Sequence, residues 1–283
     1  MTFSIRPAEN KHEIELAIQN YWINDPPDDA ASALEFWFGL FADWPEGFFL
    51  ALDEDSGQIV GVASAAIHPP QWTLTNFFVH PAYHGQGVGR ALFSRAFTWR
   101  EGCIRSLVHA SQHPSAQRLY MGAGMFPQPY SIVFEGKTAP APTVLTAEAI
   151  APLESLTILN ALDLNAFRFT REIDHRYWGQ TGHYFLVNFG SETVGYFCVA
   201  TNGIIGPLVV AEPRWMIDAL SLATQKIATL TDHDHRLFVP GANTTATAYL
   251  LSHGYRYIEL ELLLSSEPMP GFANVIFHDT DRL

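Results

Sequence analysis

The chain has 283 residues, 48% of them hydrophobic and 16% charged, with a net charge of −13. At roughly 100–200 residues per domain this length fits one large or two modest domains, and the composition excludes a disordered or low-complexity chain. The acidic balance excludes non-specific nucleic-acid binding, which needs a basic surface, and favours a cationic partner such as an amine only weakly.

Apolar stretches are broken well short of the roughly 18 residues that mark a transmembrane helix. The start MTFSIRPAENKHEIE carries no apolar signal core, so a cytoplasmic protein with no membrane partner is expected. In chain order, residues 2–7 alternate like a strand. Ile14, Ala17, Ile18, Tyr21 and Trp22 then recur at helical spacing, and Asn24-Asp25-Pro26-Pro27 ends that helix because proline cannot continue it. A second helix carries Leu34, Trp37, Phe38 and Phe41 on one face. Strands at 48–52 and 59–66 flank the turn Asp53-Glu54-Asp55-Ser56-Gly57, and a third spans 72–79.

A glycine-rich turn, His84 to Gly89, leads into a helix with Val88, Ala91, Leu92 and Trp99 on its inner face. A strand over 103–109, a short helix over 115–122 and a last strand over 130–134 complete this half. Cys103 and Cys198 both fall in runs read as strands and are expected to be free, buried thiols. Thr138-Ala139-Pro140-Ala141-Pro142-Thr143 reads as a proline-spaced linker. The expected domains are therefore 1–137 and 143–283, joined by 138–142.

The second half echoes the first. Gly47-Phe48-Phe49-Leu50 followed by Val60-Gly61 returns as Gly182-His183-Tyr184-Phe185-Leu186 followed by Val194-Gly195. His113, Ala116, Tyr120 and Gly124 stand at offsets 0, 3, 7 and 11, and Asn243, Ala246, Leu250 and Gly254 repeat those offsets 130 residues later. Two matches in the same order with nearly the same shift point to duplicated domains.

The most informative segment is Phe77-Phe78-Val79-His80-Pro81-Ala82-Tyr83-His84-Gly85-Gln86-Gly87-Val88-Gly89-Arg90, a strand, a loop with alternating glycines and the first turn of a helix. The first N–H groups of a helix have no internal partner and lie at the positive end of its dipole. Glycines let a phosphate approach them without a Cβ in the way, and Arg90 adds a cation, so a pyrophosphate is the natural ligand. A P-loop would need Lys-Ser/Thr where Arg90-Ala91 stands, and the dinucleotide fingerprint has a different glycine period. Taken alone, the glycines also suit, as the lesser reading, a bare tight turn that needs positive φ.

With its flanks, the segment resembles the GNAT superfamily of N-acetyltransferases, in which a strand ending in V-x-P precedes a Q/R-x-x-G-x-G/A loop. The matching loop is His84-Gly85-Gln86-Gly87-Val88-Gly89, with both signature glycines present and His84 in place of Gln or Arg. The family's N-x-x-A-x-x-x-Y-x-x-x-G-F helix has its counterpart in Ala116, Tyr120 and Gly124, with His113 for Asn and Met125 for Phe. The resemblance covers roughly residues 2–135.

It implies an α/β (α+β) fold of two tandem GNAT-like domains, each a mixed, mostly antiparallel sheet flanked by helices. It implies acetyl-CoA as cosubstrate, with pantetheine pairing along Phe77, Phe78 and Val79 and the diphosphate held by His84, Gly85, Gln86, Gly87, Val88, Gly89 and Arg90, beside His113 and Ala116. A backbone N–H near Val79 would meet the oxyanion, and Tyr120 would protonate the leaving thiolate. Tyr120 also fits a plain core aromatic on a short helix. No acid lies in the strand over 72–79, and the general base stays unassigned, with His68, His80 and Glu35 better read as structural or surface residues. The aromatic helices around Trp22, Trp37 and Trp44 and the acidic loop 25–29 occupy the part that shapes the acceptor site in that family.

In the second copy, Gly206-Pro207-Leu208-Val209-Val210-Ala211-Glu212-Pro213-Arg214-Trp215 replaces the glycine loop and Leu250 replaces the tyrosine, while Met216, Ala219, Leu220, Ala223 and Ile227 keep the following helix. This copy is expected to have lost CoA chemistry. Asp232-His233-Asp234-His235 reads as a solvated turn, and no metal site is expected. The expected function is acetyl transfer to a primary amine of a small molecule or peptide; a homodimer is compatible with the sequence. The alternative is a non-catalytic acyl-CoA sensor, and a nucleotide-binding regulator lacks the residues it would need.

Overall fold

A computed structural model of the chain describes residues 2–22, 30–99, 103, 105–110, 113–128, 130–138 and 141–283. The Asn24-Asp25-Pro26-Pro27 break, the acidic loop 25–29 and linker residues 139 and 140 lie outside them.

The first half runs β1 (Phe3–Pro7), α1 (Lys11–Tyr21), α2 (Ala30–Asp43), β2 (Phe48–Asp53), β3 (Ile59–His68), β4 (Gln71–Val79), α3 (Val88–Thr98), β5 (Arg105–Ala110), α4 (Pro114–Gly122), β6 (Phe126–Pro127) and β7 (Ser131–Gly136). Asn10 opens α1 by accepting the Glu13 N–H through its side chain. β1 to β4 form an antiparallel meander, and β5 joins parallel to β4.

Strand alternation sends Phe49, Ala51, Ala63, Trp72 and Leu74 to one face, under α3 and α4. It sends Phe48, Leu50, Val62 and Ala66 to the other, under Ile14 and Ile18 of α1 and Trp37 and Leu40 of α2. Phe93 and Ala96 join Val88 and Leu92 as the buried residues of α3, while Ala91 and Trp99 are only half-buried. The periodicity of α3 therefore centres one position later than the sequence suggests. Cys103 lies before β5 rather than in a strand and is half-buried; Cys198 is buried, and burial pushes its thiol up.

The second half follows the same order: β8 (Thr146–Ile150), α5 (Leu156–Phe167), α6 (Glu172–Trp178), β9 (Gly182–Phe189), β10 (Glu192–Ala200), β11 (Ile205–Val210), α7 (Met216–Ile227), β12 (His235–Pro240), α8 (Thr244–Ser252), β13 (Arg256–Ser265) and β14 (Val275–Ile276). The helices of the repeated motif, α4 and α8, coincide under the 130-residue shift. All five residues expected on the inner face of α7 are buried. His235 departs from the expected solvated turn: it is buried at the start of β12, with Nδ1 2.9 Å from the Tyr255 hydroxyl.

The two halves exchange strands. β7 lies between β12 and β13, and β13 continues past it to pair with β5, so one sheet runs β1-β2-β3-β4-β5-β13-β7-β12. The other sheet runs β14-β11-β10-β9-β8. Hydrogen bonds thus cross the 138–142 connection, and the strand read as the last of the first half pairs wholly with strands of the second. Charged groups also bridge the halves. Arg282 bonds Asp43 of α2 at 2.8 Å and Asp174 of α6 at 3.1 Å, and His68 at the end of β3 lies 2.6 Å from Asp174.

A second buried network sits inside the second half, where Asp163 accepts from Arg171 at 3.0 Å, His175 at 2.9 Å and the Tyr196 hydroxyl at 2.5 Å. Burial penalises the Asp163 carboxylate, but Arg171 and His175 outweigh it and hold its pKa down at about 2. Its stabilising contribution is therefore complete at neutral pH and drains away as pH falls from the ordinary carboxylate range toward 2. Asp163→Asn should cost about 3–5 kcal/mol, because Arg171 is left buried without its counter-charge. Urea unfolding at pH 7 reads this directly, and a loss below about 1 kcal/mol would show that the network is not a major support.

Candidate active site

β4 is paired on one side along its whole length, with β3 from Gly61↔Val79 to His68↔Gln71. On its other side the parallel ladder with β5 runs only from Gln71↔Arg105 to Leu74↔Val108. Beyond Leu74 the two strands part, and among the described residues no strand pairs the outer edge of β4 from Thr75 to Val79. A β-bulge marks the parting: Ser64 pairs with Asn76 and Ala65 with Leu74, leaving Thr75 as the extra residue. Thr75 is held by hydroxyl bonding with Ser64 (2.6 Å) and by donating to the Ser64 carbonyl (3.0 Å), and Asn76 Nδ2 donates to Ser64 Oγ at 3.1 Å. Nothing in the residue pattern signalled this bulge, because Thr75 is an ordinary strand residue.

The bulge sets which backbone groups face the opening. His80 N–H donates to Val60 O at 2.8 Å. By the alternation of an antiparallel ladder, Phe78 then turns its polar groups to β3, while Phe77 and Val79 present theirs outward. Of the three residues expected to pair with pantetheine, two therefore offer an open edge. Phe78 does not; its ring also packs on the opposite face, against the α1–α2 cluster.

After β4, the chain turns through a short 3-10 stretch at Pro81–Tyr83 into the glycines. Gly85 and Gly87 have φ of 76° and 89°, the left-handed region that disfavours side chains, and Gly87 is the N-cap of α3. A Cβ at either would meet nothing within 4 Å, so the space over the helix mouth is open. Gly89 has ordinary helical geometry. The N–H of Ala91 is the first to bond back, to Gly87 O at 3.0 Å, and among the described residues the N–H groups from Gly85 to Arg90 have no partner. They form a nest at the positive end of a helix, suited to an anion. Arg90 stands exposed in the first turn.

Two side chains brace the loop: Gln86 Nε2 donates to Ala82 O at 2.9 Å, and Tyr83 donates to Asp53 at 2.6 Å. The Tyr83 bond, with N–H groups of Ser56 and Asp55, holds the Asp53 carboxyl below the usual range. His84 Nε2–H donates to the outward carbonyl of Val79 at 2.7 Å, joining loop to strand. The residue that stands where the family has Gln or Arg thus ties the loop to the strand.

α4 closes the other side of the opening. Tyr120 is buried, with its ring 6.2 Å from that of Phe77 and 5.6 Å from that of Phe93. Burial pushes its phenol far up, and no hydrogen bond from a described group acts on it. The hydroxyl thus stays protonated over the working pH range and is free to donate to a ligand. Ala116 packs against the same cluster, and His113, at the N-cap of α4, lies exposed with its ring 6.2 Å from the His84 ring.

The open edge, the nest and the Tyr120 phenol thus lie at the same end of β4, with the Tyr120 ring packed on Phe77 of that edge. No acidic residue lies on β4, and His68 is paired with Asp174 at the opposite end of the strand. No group of three or more His, Cys, Asp or Glu side chains among the described residues is placed to hold a metal ion. No described helix is long and apolar enough to cross a membrane.

Residues 12–125 match the family model for the Acetyltransferase (GNAT) family. A putative acetyltransferase from Pyrococcus horikoshii superposes with a TM-score of 0.79 at 18% identity, covering 98% of this chain and 95% of that one. A GCN5-related N-acetyltransferase from Sphaerobacter thermophilus gives 0.62 at 19% identity, covering 95% and 96%. A tandem GNAT protein from the clavulanic acid biosynthesis pathway gives 0.62 at 13% identity, covering 94% and 99%. At these identities the likeness establishes the fold, that of tandem GNAT domains. No curated protein matches the chain in sequence.

Proposed function

We propose, from the match of residues 12–125 to the Acetyltransferase (GNAT) family model, that the chain transfers an acetyl group from acetyl-CoA to a primary amine of a small molecule or peptide. The observation that carries this reading is the juxtaposition of the unpaired N–H nest at 85–90, the open edge of β4 and the unbonded Tyr120 hydroxyl.

In this reading, the N–H groups of Val88, Gly89 and Arg90 hold the diphosphate, and the Arg90 side chain adds charge. Phe77 and Val79 fix pantetheine as an added strand. The Val79 carbonyl already accepts from His84 but retains a second lone pair. Holding the thioester against β4 lets the amine nitrogen attack its carbonyl carbon, and a preorganised outward N–H of β4 bonds the oxygen as it gains charge. The C–S bond then breaks, Tyr120 hydrogen-bonds and protonates the departing sulfur, the new amide loses its extra proton to water, and solvent returns a proton to Tyr120. Water is the acceptor of that proton because β4 supplies no base.

Calorimetry with acetyl-CoA, followed by thiol release over a panel of primary amines, tests the proposal. Binding with turnover on at least one amine is expected. Binding without turnover on any of them favours an acyl-CoA sensor, and binding of ATP but not CoA overturns both.

A further inference from the structure

The groove that is open in the first half is filled in the second. Gly61 pairs with Val79 and Gly195 with Val210; His80 N–H donates to Val60 O, and Ala211 N–H to Val194 O. Register therefore equates Val210 with Val79 and Leu208 with Phe77. At Val79 and Phe77 no strand among the described residues lies along the outward edge. At Val210 the N–H donates to Asn274 O at 3.0 Å and the carbonyl accepts from Asn274 Nδ2 at 2.7 Å; the ladder continues at Leu208↔Ile276. The far edge of this segment is also bonded, because Phe277 N–H donates to Phe238 O of β12 at 2.9 Å. β14 thus wedges between β11 and β12, which among the described residues share no ladder; a single bridge, Ile204↔Arg236, joins the chain just before β11 to β12.

We propose that the segment 272–277 is a built-in replacement for pantetheine, so that the chain binds one acyl-CoA, in its first groove alone. For that first groove the inference rests on the function proposed above. Residues that look like wear in the sequence fit the segment. A Cβ at Gly206 would lie 2.1 Å from Phe277 O, so only glycine lets the segment approach. Asn243, at the position of His113, donates through Nδ2 to Val275 O at 2.9 Å while its Oδ1 caps α8. The turn after β11 has no glycine, and Glu212 sets a carboxylate before α7, where a diphosphate would have to sit.

The segment is also anchored. Val275, Ile276 and Phe277 are buried, Arg282 pairs with Asp43 and Asp174, and the Thr73 hydroxyl of β4 donates to Leu283 O. A strand held by main-chain bonds on both edges and pinned in both halves excludes a free ligand of the same shape.

Residue-resolved amide exchange on the intact wild-type protein, with and without CoA, tests this. Without CoA the amides of Leu208 and Val210 should exchange at least about 100-fold more slowly than those of Phe77 and Val79. CoA should slow Phe77 and Val79 by about 10-fold or more and leave Leu208 and Val210 unchanged, with a calorimetric stoichiometry of one per chain. Leu208 and Val210 exchanging as fast as Val79 without CoA, or a stoichiometry of two, overturns the proposal. If CoA slows none of the four while Leu208 and Val210 stay protected, the filled groove stands and the CoA reading of the first groove falls.

Discussion

Gly87→Val should weaken CoA binding by at least about 100-fold, while Gly89→Ala, two residues later, should leave it within about threefold. The contrast follows from backbone geometry. Gly87 has φ of 89° and caps α3, with open space where a Cβ would be. Valine there adds roughly 1–2 kcal/mol of left-handed strain. Its two methyls also stand over the unpaired N–H groups, and each charge-assisted bond lost to a diphosphate is worth about 1.5–3 kcal/mol. A Cβ at Gly89 lies 3.6 Å from Phe77 Cζ and Val79 Cγ2, an ordinary contact, in a residue with helical φ. Alanine there should even stabilise α3, by up to about 1 kcal/mol, because it is the better helix former. Calorimetry with CoA and a thermal melt on both variants check this. Strong loss in Gly89→Ala with retention in Gly87→Val would move the anion grip away from the helix mouth.

Tyr120→Phe should lower kcat by about 10- to 100-fold and leave CoA affinity within about twofold. The ring packs on Phe77 and Phe93, and phenylalanine keeps that packing. Only the hydroxyl is lost. Burial raises the phenol's pKa, so the group is a weaker acid than the thiol of the proposed leaving group, which ionises near 8.5. Full proton transfer is thus uphill even to the charged sulfur, so the hydroxyl acts chiefly as a hydrogen-bond donor to it, which keeps the effect below the usual range for general acids. The sign for pH is also fixed. A raised pKa keeps Tyr120 protonated, so no fall in rate between about pH 8 and 10 should trace to its ionisation. Single-turnover kinetics of the variant decide the role: a change in affinity with kcat intact would make Tyr120 a packing residue.

The strand-to-helix glycine turn was legible because its signal is local. Gly85, Gly87 and Gly89 stand within five consecutive residues between a strand and a helix, and such spacing marks a tight turn whatever it binds. The helix of Tyr120 was legible through its repeat in the helix of Leu250, since the short-range spacing survived duplication. Neither motif carried the information that failed to show. The exchange of β7 and β13 depends on which edges are free after the sheets assemble, and an alternating strand such as 131–136 looks the same whichever neighbour it finds. β14 is two residues long, too short for any periodicity, yet it fills a groove. Asp163, Arg171 and Arg282 carry no local signal of burial in the sequence; the structure buries them because each meets an opposite charge once the elements pack. His84 was legible as a departure from the motif but not as a tie to the Val79 carbonyl, because loop closure decides that contact.

A crystal structure of the protein with CoA bound tests the central claim most directly. The account predicts diphosphate oxygens within hydrogen-bond distance of the N–H groups of residues 86–90, and the amide chain paired to Val79 beside Tyr120. Diphosphate density on any other surface, or a first groove that stays empty at saturating ligand, would contradict it.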